Sequence, residues 1–387
     1  MAREHALVLF GATGFTGGLT AEYLARTAPP DLRWALAGRN LAKLEAVRER
    51  LARIEERLAS LPLLIADSAD AASLRAVAES TKVVVTTVGP YLHRGEALVA
   101  ACAAAGTDYL DLTGEAEFVD RMYLAHDKQA RETGARLVHA CGFDSIPHDL
   151  GAWYTVKQLP EGVPLRVNGY VRASGMPSGG TFSSALTIFS RLPAGARVAK
   201  ARAAAEPGPA GRAVHVGMGR PHRAPGTGHW AVPLPTIDPE IVGRSAAASE
   251  RYGPDFTYGH YAAVAHLPVL AGGAIGLGAL FAAAQVPPVR RGLSKLLAPG
   301  EGPSPERRAR SWFTVRFIGE GGGERVETQV SGGDPGYDET AKMLAESGLC
   351  LATDDLPETA GQVTTATAMG DALVERLQKA GIRFTTA

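Results

Sequence analysis

A glycine-rich segment near the start of the sequence, GATGFTG at residues 11–17, has the composition of a nucleotide-binding turn. It follows an apolar run at 6–10 and leads into a helical pattern from about Phe15 to Arg26. Glycines at this spacing let a pyrophosphate approach main-chain N–H groups, and the following helix directs its partial positive charge at that anion. The pattern predicts a dinucleotide site that comprises Gly11, Thr13, Gly14, Phe15, Thr16 and Gly17.

The second apolar run ends in AGRN at 37–40, without the Asp or Glu that would bind an unmodified ribose. Arg39, followed by Asn40 and by Lys43 one helical turn later, suits the 2′-phosphate of NADP(H), because a guanidinium binds phosphate oxygens in a bidentate manner. An ordinary surface arginine is the alternative, although a cation at a helix start opposes the helix dipole. We therefore predict NADP(H) rather than NAD as the cofactor.

Polar residues also follow the third and fourth apolar runs. Asp67 and Ser68 fit either a contact near the adenine or a helix N-cap. Ligands of open α/β sheets bind outside the carboxyl ends of the strands, so we expect the loop after the fourth run beside the nicotinamide. That loop comprises Val88, Gly89, Pro90 and Tyr91.

The sixth apolar run ends in ACGFDSIPHDLG at 140–151, which places three polar side chains close together. A cluster of Asp144, Ser145 and His148 resembles part of a hydrolase site. The G-x-S-x-G pattern of a nucleophile elbow is missing, however, and we interpret Asp144 and Ser145 as a helix cap.

The elements that position these residues alternate regularly over the first 145 residues. Apolar runs separated by helical patterns, such as the one at 40–60, predict an α/β fold with a Rossmann-type, doubly wound parallel sheet. Beyond about Gly151, Gly- and Pro-rich segments predict a second α+β domain inserted before the C-terminal helices. The runs lie at 6–10, 33–37, 62–66, 83–88, 108–112 and 136–141 in the first domain and at 164–173, 311–319 and 324–331 in the second.

We therefore predict an NADP-binding domain at 1–150 and a substrate or dimerisation domain at 151–335. Helical patterns at 338–351 and 364–381 predict C-terminal helices within 336–387, which we expect to return to the first domain. The stretch from 193 to 260 has no clean period, and we expect part of it to form a mobile loop.

Composition excludes some functions. The 387 residues carry 40 Lys and Arg against 40 Asp and Glu, so no global field would recruit nucleic acid, and we expect no such partner. Cys102, Cys141 and Cys350 have no metal-ligand spacing, and we expect no metal site and a reduced compartment. The first residues do not resemble an export signal, and we expect a cytoplasmic location.

One apolar segment is unusual for a soluble enzyme. Residues 267–284, LPVLAGGAIGLGALFAAA, are uncharged, and Arg290, Arg291 and Lys295 follow. The segment fits a buried or homodimer-interface helix, and it fits equally well an element that contacts a membrane surface or an acyl chain. Its glycines and proline argue against a spanning helix. Membrane contact would place the protein peripherally at the plasma membrane, where it should sediment with anionic vesicles.

Taken together, the chain resembles the saccharopine dehydrogenase-like oxidoreductases, in the branch of the trans-acting enoyl reductases. The resemblance covers nearly the whole chain, and two positions depart from the family pattern. His148 stands where Ser is usual, and His93 replaces an apolar or aromatic residue, which bears on the substrate pocket. The matching motifs are GATGFTG at 11–17, AGRN at 37–40, VGPY at 88–91, GEALVAACAAAGTDYLDLTGE at 95–115, CGFDSIPHDLG at 141–151, SGGT at 178–181 and GDPGYDETAKMLAESGLCLA at 333–352.

The resemblance implies hydride transfer from NADPH to an enoyl thioester of a polyketide or long acyl chain, which a separate synthase presents for lipid biosynthesis. Such a reaction needs a donor for the enolate oxygen and a proton for the α-carbon. Tyr91 is the first candidate, followed by Glu115, Asp144 and His148. Tyr91 as a wall beside the nicotinamide and Glu115 as a structural carboxylate are the alternatives.

Two rival functions stay open. A saccharopine-type amino-acid dehydrogenase would need several cations converging on substrate carboxylates, whereas Arg166, Arg172 and Arg191 are dispersed in the sequence. A membrane-associated protein that binds NADP without turnover is the other rival.

Overall fold

The computed structural model of the chain describes residues 3–174, 179–265 and 302–386 and single residues between 276 and 289; the side chains of 179–185 lie outside this description. Its strands are β1 (His5–Phe10), β2 (Trp34–Gly38), β3 (Leu63–Ile65), β4 (Thr81–Thr86), β5 (Asp108–Leu110), β6 (Arg136–Val138), β7 (Leu165–Ser174), β8 (Ala213–Gly217), β9 (His222–Arg223), β10 (Trp230–Pro233), β11 (Asp255–Val264), β12 (Trp312–Gly321), β13 (Glu324–Gly332), β14 (Gly361–Val363) and β15 (Arg383–Thr386).

Helices connect these strands. Outside residues 276–289 they are α1 (Phe15–Thr27), α2 (Leu41–Ala52), α3 (Ala71–Ser80), α4 (Tyr91–Arg94), α5 (Glu96–Ala105), α6 (Ala116–Thr133), α7 (Ile146–Val156), α8 (Gly179–Ala205), α9 (Asp238–Ala248), α10 (Pro305–Arg308), α11 (Asp338–Thr353), α12 (Thr365–Ala368) and α13 (Gly370–Lys379).

The first sheet has seven strands in the order β14-β6-β5-β4-β1-β2-β3, and all neighbours are parallel. Helices cover both faces, so its central strands are apolar without alternation; Leu7, Val8 and Leu9 of β1 are fully buried. The predicted doubly wound α/β fold is confirmed. The order of the strands reverses between β1 and β4, and the carboxyl ends of these two strands define the crevice in which such sheets bind ligands.

The second sheet is mixed, in the order β15-β13-β12-β7-β11-β10-β9, with β8 paired to β11. The last 50 residues contribute to both sheets, because β14 extends the first and β15 extends the second. Helix α11 packs closely on the first sheet. A Cβ atom added at Gly348 would lie 2.7 Å from Val85 and 2.8 Å from Leu7.

Several elements differ from their predicted bounds. The predicted helix at 40–60 ends at Ala52, and a 3₁₀ turn at Glu56–Ser60 follows, because the chain has to reverse into β3. Leu58 stays buried in that turn, which accounts for the continued apolar period. The predicted helix at 364–381 is split into α12 and α13 at Gly370, whose φ of 45° lies in the left-handed region.

The stretch at 193–260 is more ordered than predicted, since it contains the C-terminal half of α8, the elements from β8 to α9 and the start of β11. An internal proline at position 193 and many alanines obscure the period of α8.

In the part of the chain that the structure describes, no helix has both the length and the apolar character needed to cross a bilayer. The apolar segment 267–284 lies mostly outside the described residues, as do Arg290, Arg291 and Lys295.

Candidate active site

The glycine-rich loop at 11–17 lies at the carboxyl end of β1, directly beside the end of β4. Gly11 has a φ of 98°, and a Cβ atom there would lie 2.7 Å from Val88 Cγ2. The Thr87 hydroxyl donates a hydrogen bond of 3.2 Å to the Gly11 carbonyl oxygen, which ties the loop to the end of β4. The first glycine is therefore required by the turn itself.

The other two glycines of the motif differ in their surroundings. A Cβ atom at Gly17 would lie 2.2 Å from the Gly11 carbonyl oxygen, so this position serves the close packing of α1 on the loop. At Gly14 the nearest described atom is the same oxygen, at an ordinary 3.5 Å. The face of Gly14 is open, and a pyrophosphate can approach the main chain there.

Helix α1 begins at Phe15, with Gly14 as its N-cap residue. Gly14 offers no side-chain cap, and the first turn carries no acidic residue, so an anion fits the N–H groups of this helix end. Thr13 is exposed beside Gly14, whereas Thr16 accepts a hydrogen bond of 2.9 Å from the Thr20 hydroxyl through its carbonyl oxygen. The helix start and the open glycine are compatible with the predicted pyrophosphate site at the N-terminus of α1, which stays a prediction.

The predicted ribose-phosphate residues lie at the carboxyl end of β2, the neighbour of β1. Arg39 and Lys43 are exposed. The Asn40 side chain accepts a hydrogen bond of 3.0 Å from the Lys43 N–H and thereby caps α2. Asn40 thus has a structural role, and the two cations remain the predicted phosphate ligands.

The predicted N-cap at Asp67 or Ser68 is wrong, because Asp70 caps α3 by accepting a hydrogen bond of 3.0 Å from the Ala72 N–H. The Asp67 carboxylate instead accepts a hydrogen bond of 2.9 Å from Ala69 N–H and closes a turn. A contact of Asp67 and Ser68 with the adenine stays a prediction.

The loop after β4 contains a cis peptide bond between Gly89 and Pro90. Tyr91 follows and is buried; its hydroxyl donates to the Thr86 carbonyl oxygen and accepts from the Leu112 N–H, both at 3.2 Å. Burial and the nearby carboxylate of Asp111 raise the pKa of the Tyr91 hydroxyl well above its usual value. The side chain braces the end of β4 against the loop after β5, and its catalytic role stays a prediction.

Glu115 lies between β5 and α6 and is buried. Its carboxylate accepts a hydrogen bond of 2.8 Å from the Leu92 N–H in the first turn of α4. This contact positions the loop that holds Val88, Gly89 and Pro90. A direct catalytic role for Glu115 stays a prediction.

Asp144 follows β6 and is exposed where the two sheets meet. A Cβ atom on Gly114 would lie 3.6 Å from Asp144 Oδ2, so the carboxyl group faces the loop after β5. Protein atoms around the carboxyl group displace part of its solvent and raise its pKa to about 6. The geometry allows this acid to hold a proton close to neutral pH.

The predicted cap at the start of α7 is confirmed in position for Ser145 but not as a side-chain hydrogen bond. Ser145 occupies the N-cap position, but its side chain makes no capping hydrogen bond. Its hydroxyl is buried and has no hydrogen-bond partner among the described residues.

Sequence reasoning missed a buried cluster below this helix start. His148 of α7 lies against Asp238 of α9 and His260 of β11, and we call these three residues the junction triad. The sequence around Asp238, IDPE, is typical of a helix start, and β11 also contains Asp255 and Thr257, so His260 does not stand out in its strand. The sequence analysis singled out His148 alone of the three.

The second sheet also contributes to the glycine-rich loop. The rings of Phe15 and Tyr337 meet edge to face at 5.0 Å between centroids, and the Arg308 guanidinium lies 5.5 Å from the centroid of the Phe15 ring. Arg308 is held by a salt bridge of 2.9 Å to Asp338. Phe15, which we predicted as a cofactor ligand, therefore packs against Tyr337, which follows β13, and against Arg308 of α10.

Comparisons with known proteins identify the relatives of this chain. A family model described as the saccharopine dehydrogenase NADP binding domain matches residues 7–138. A protein of Mycobacterium ulcerans named trans-acting enoyl reductase is 37% identical over 98% of this chain and 97% of its own. A Mycobacterium tuberculosis protein, whose name assigns that activity provisionally, is 40% identical over 99% of this chain and 98% of its own.

Among solved structures, apo saccharopine dehydrogenase (L-Glu forming) from Saccharomyces cerevisiae matches with a TM-score of 0.57. The match covers 98% of this chain and 99% of the other at 12% identity, which shows a shared fold.

Proposed function

The chain belongs to the family of the trans-acting enoyl reductases, and we propose that it reduces the carbon–carbon double bond of an enoyl thioester presented by a separate synthase. It is an NAD(P)-dependent oxidoreductase with NADP(H) as its cofactor. The observation that carries the proposal is the identity of 37% to 40% with these relatives over almost the full length of both chains.

The residues of the glycine-rich loop fit NADP(H). The open face of Gly14 and the start of α1 would hold the pyrophosphate, and Arg39 and Lys43 would hold the 2′-phosphate. When bound, NADPH supplies the hydride that is added to the β-carbon. The residues near the reacting end then have to stabilise the enolate oxygen and protonate the α-carbon.

We assign the proton to Asp144. Asp144 is exposed between β6 and α7, and its pKa of about 6 lets a useful fraction of the carboxyl group stay protonated near neutral pH. We assign Tyr91 and Glu115 to the positioning of the loop after β4, because their polar atoms already contact main-chain groups. In this proposal Asp144 transfers its proton to the α-carbon and regains one from solvent.

The proposed substrate is an enoyl thioester of a polyketide or lipid chain. The name of the relatives supports action on the product of a synthase. Peripheral membrane contact rests on the uncharged sequence at 267–284 and the cations that follow it, and it stays a prediction.

The test is NADPH oxidation by the purified protein with enoyl thioesters of N-acetylcysteamine of increasing chain length. Mass spectrometry of the product should show the addition of two hydrogen atoms to the acyl chain. Asp144→Asn should bind NADPH normally but lower kcat. NADPH oxidation with 2-aminoadipate semialdehyde and glutamate, but with no thioester, would overturn the proposal.

The three arginines considered for the saccharopine-type alternative, in β7 and α8, do not favour it. Arg191 pairs with Glu117 at 2.7 Å, and Arg172 lies 5.5 Å from the ring centroid of Trp312. Arg166 is exposed elsewhere on β7. These three cations do not converge on a common substrate position.

A further inference from the structure

The junction triad lies beneath the start of α7 and joins three elements. His148 belongs to the first turn of α7, Asp238 is the first residue of α9, and His260 lies in the middle of β11. All three residues are at most 3% exposed. A buried carboxylate without a close positive charge is costly, so the cluster needs a physical explanation.

The distances within the triad suggest an explanation, which is a bound metal ion. His148 Nε2 lies 3.5 Å from Asp238 Oδ1, and His260 Nε2 lies 3.5 Å from Asp238 Oδ2. These separations exceed ordinary hydrogen-bond lengths of about 2.7 to 3.2 Å. They match the spacing of about 3.4 Å between two ligands that each lie about 2.1 Å from one tetrahedral ion.

The polar atoms of the triad are also incompletely satisfied. Within the described part of the chain, His148 Nδ1, Asp238 Oδ1 and His260 Nε2 are buried and have no hydrogen-bond partner. Native proteins rarely leave such atoms unpaired. A bound metal ion would satisfy Asp238 Oδ1 and His260 Nε2, whereas His148 Nδ1 would stay unpaired if this residue binds the ion through Nε2.

Neighbouring hydroxyl groups contact His260 and Asp238 in the way that residues around a metal site contact the metal ligands. The Tyr258 hydroxyl lies 3.2 Å from His260 Nδ1, and the Thr236 hydroxyl donates to Asp238 Oδ2. Contacts of this kind fix the orientation of ligands around a metal.

We propose that His148, Asp238 and His260 bind one divalent first-row transition-metal ion. Two imidazoles and one carboxylate suit ions such as Zn²⁺, Co²⁺ or Fe²⁺ and do not suit Mg²⁺ or Ca²⁺, which prefer oxygen ligands. The three ligand atoms lie within 4.8 Å of one another. The widest pair has to approach to about 3.4 Å for one tetrahedral ion to reach all three, so metal binding requires the ligand side chains to move closer together.

The ion would compensate the charge of Asp238 and would link α7, α9 and β11. It would thereby fix the start of α7, directly after Asp144. Three protein ligands leave a fourth position of a tetrahedral ion for water or another ligand. The proposal is independent of the substrate, because it concerns metal binding by the resting protein.

The test begins with the metal content of the full chain purified without chelators, measured by inductively coupled plasma mass spectrometry. We expect about one transition-metal ion for each chain. After chelator treatment, titration with Co²⁺ should give visible ligand-field absorption that saturates at one equivalent, together with a higher Tm. Absence of both bound metal and a saturable Co²⁺ spectrum would overturn the proposal and would indicate a neutral hydrogen-bonded triad.

A matched pair of variants locates the site. His260→Gln should abolish Co²⁺ absorption, whereas His139→Gln should retain it, because buried His139 contacts one carboxylate, Asp111, at 2.7 Å. Equal Co²⁺ spectra from the two variants would contradict the assignment. If His260→Gln fails to fold, X-ray absorption of the Co²⁺-loaded wild-type protein decides, since it should show two imidazole ligands.

Neither readout uses NADPH or a thioester. Failure of the metal proposal would therefore leave the proposed reductase activity untouched, and loss of that activity would leave the metal proposal untouched.

Discussion

The glycine-rich loop and the junction triad lie in the same molecule but are built in opposite ways. The loop takes seven consecutive residues, presents its main chain, and leaves Thr13 and Gly14 exposed. The triad takes one side chain from each of three elements that span residues 148 to 260, and all three are buried. Local sequence specifies the first arrangement, whereas only the completed fold specifies the second.

This difference affects how each region tolerates change. We expect a local loop to keep its shape when it loses its ligand, because the residues that would contact the ligand, here Thr13 and Gly14, are exposed. A site that joins distant elements contributes to folding as well as to chemistry, so its function and its stability change together. The predictions below separate the two cases, from the largest expected effect to the smallest.

Substitutions at two glycines of the same motif should have different effects, one on folding and the other on NADPH binding. Gly17→Val should prevent folding or lower the Tm severely, because its Cβ atom alone would lie 2.2 Å from a carbonyl oxygen. Gly14→Val should fold normally and lose NADPH binding, because its side chain would point into open space. Circular dichroism melting and fluorescence titration with NADPH measure the two effects. NADPH binding by Gly14→Val would refute our interpretation of the loop.

Asp149 tests whether contacts between elements that lie far apart in the sequence contribute to the stability of the fold. Its buried carboxylate accepts hydrogen bonds from Thr365 Oγ1 at 2.7 Å, from Ala366 N–H at 2.8 Å and from the Ser245 hydroxyl. Asp149→Ala should lower the free energy of unfolding by about 3 kcal/mol or more, because three buried donors lose their acceptor. Urea denaturation measures this loss. Exposed Asp144→Ala is the control, and a similar loss there would contradict the account.

Arg39 tests whether the local site selects its cofactor. Arg39→Ala should weaken NADPH binding by about tenfold to a hundredfold, or about 1.5 to 3 kcal/mol, through loss of a charge-assisted contact, and should leave NADH binding unchanged. Isothermal titration calorimetry with both nucleotides measures the difference. Arg53→Ala, at the far end of α2, is the control. Equal weakening of NADPH and NADH would reject the assignment.

The smallest effect concerns pH. The pKa of Asp144 is about 6 in the folded protein, against a usual 3.8, so the folded state binds more protons than the unfolded state between these values. The contribution of this group to stability is full below the lower value and is lost as the pH rises through the higher one. Asp144→Asn should therefore have a higher Tm than wild type above about pH 7 and no advantage below about pH 4. A Tm difference that grows towards acidic pH would contradict this.

The sequence predicted the first sheet well, because its signals are local. Each buried strand is a short apolar run, and the start of α1 at Phe15 follows from the glycines before it. Predictions of caps were less successful. Asp70 rather than Asp67 or Ser68 caps α3, since several suitable residues stand in a row and only the path of the chain selects one.

The second sheet and the junction triad were harder to predict for a common reason. Helix α8 contains Pro193 and many small residues, so its period is obscured. The residues of the junction triad have no unusual neighbours in the sequence. They become a cluster only through the pairing of β7 with β11 and the packing of α7 on α9. No pattern within a short window carries that information.

The contact of Phe15 with Tyr337 and Arg308 has a consequence for the order of events in turnover. Tyr337, after β13, and Arg308, before β12, contact the first residue of α1, beside the position where we predict that the pyrophosphate of the coenzyme binds. We expect a compulsory sequence in which the coenzyme enters first and departs last, with the acyl thioester between. Product-inhibition kinetics would reveal it, since only the oxidised coenzyme should then compete with NADPH.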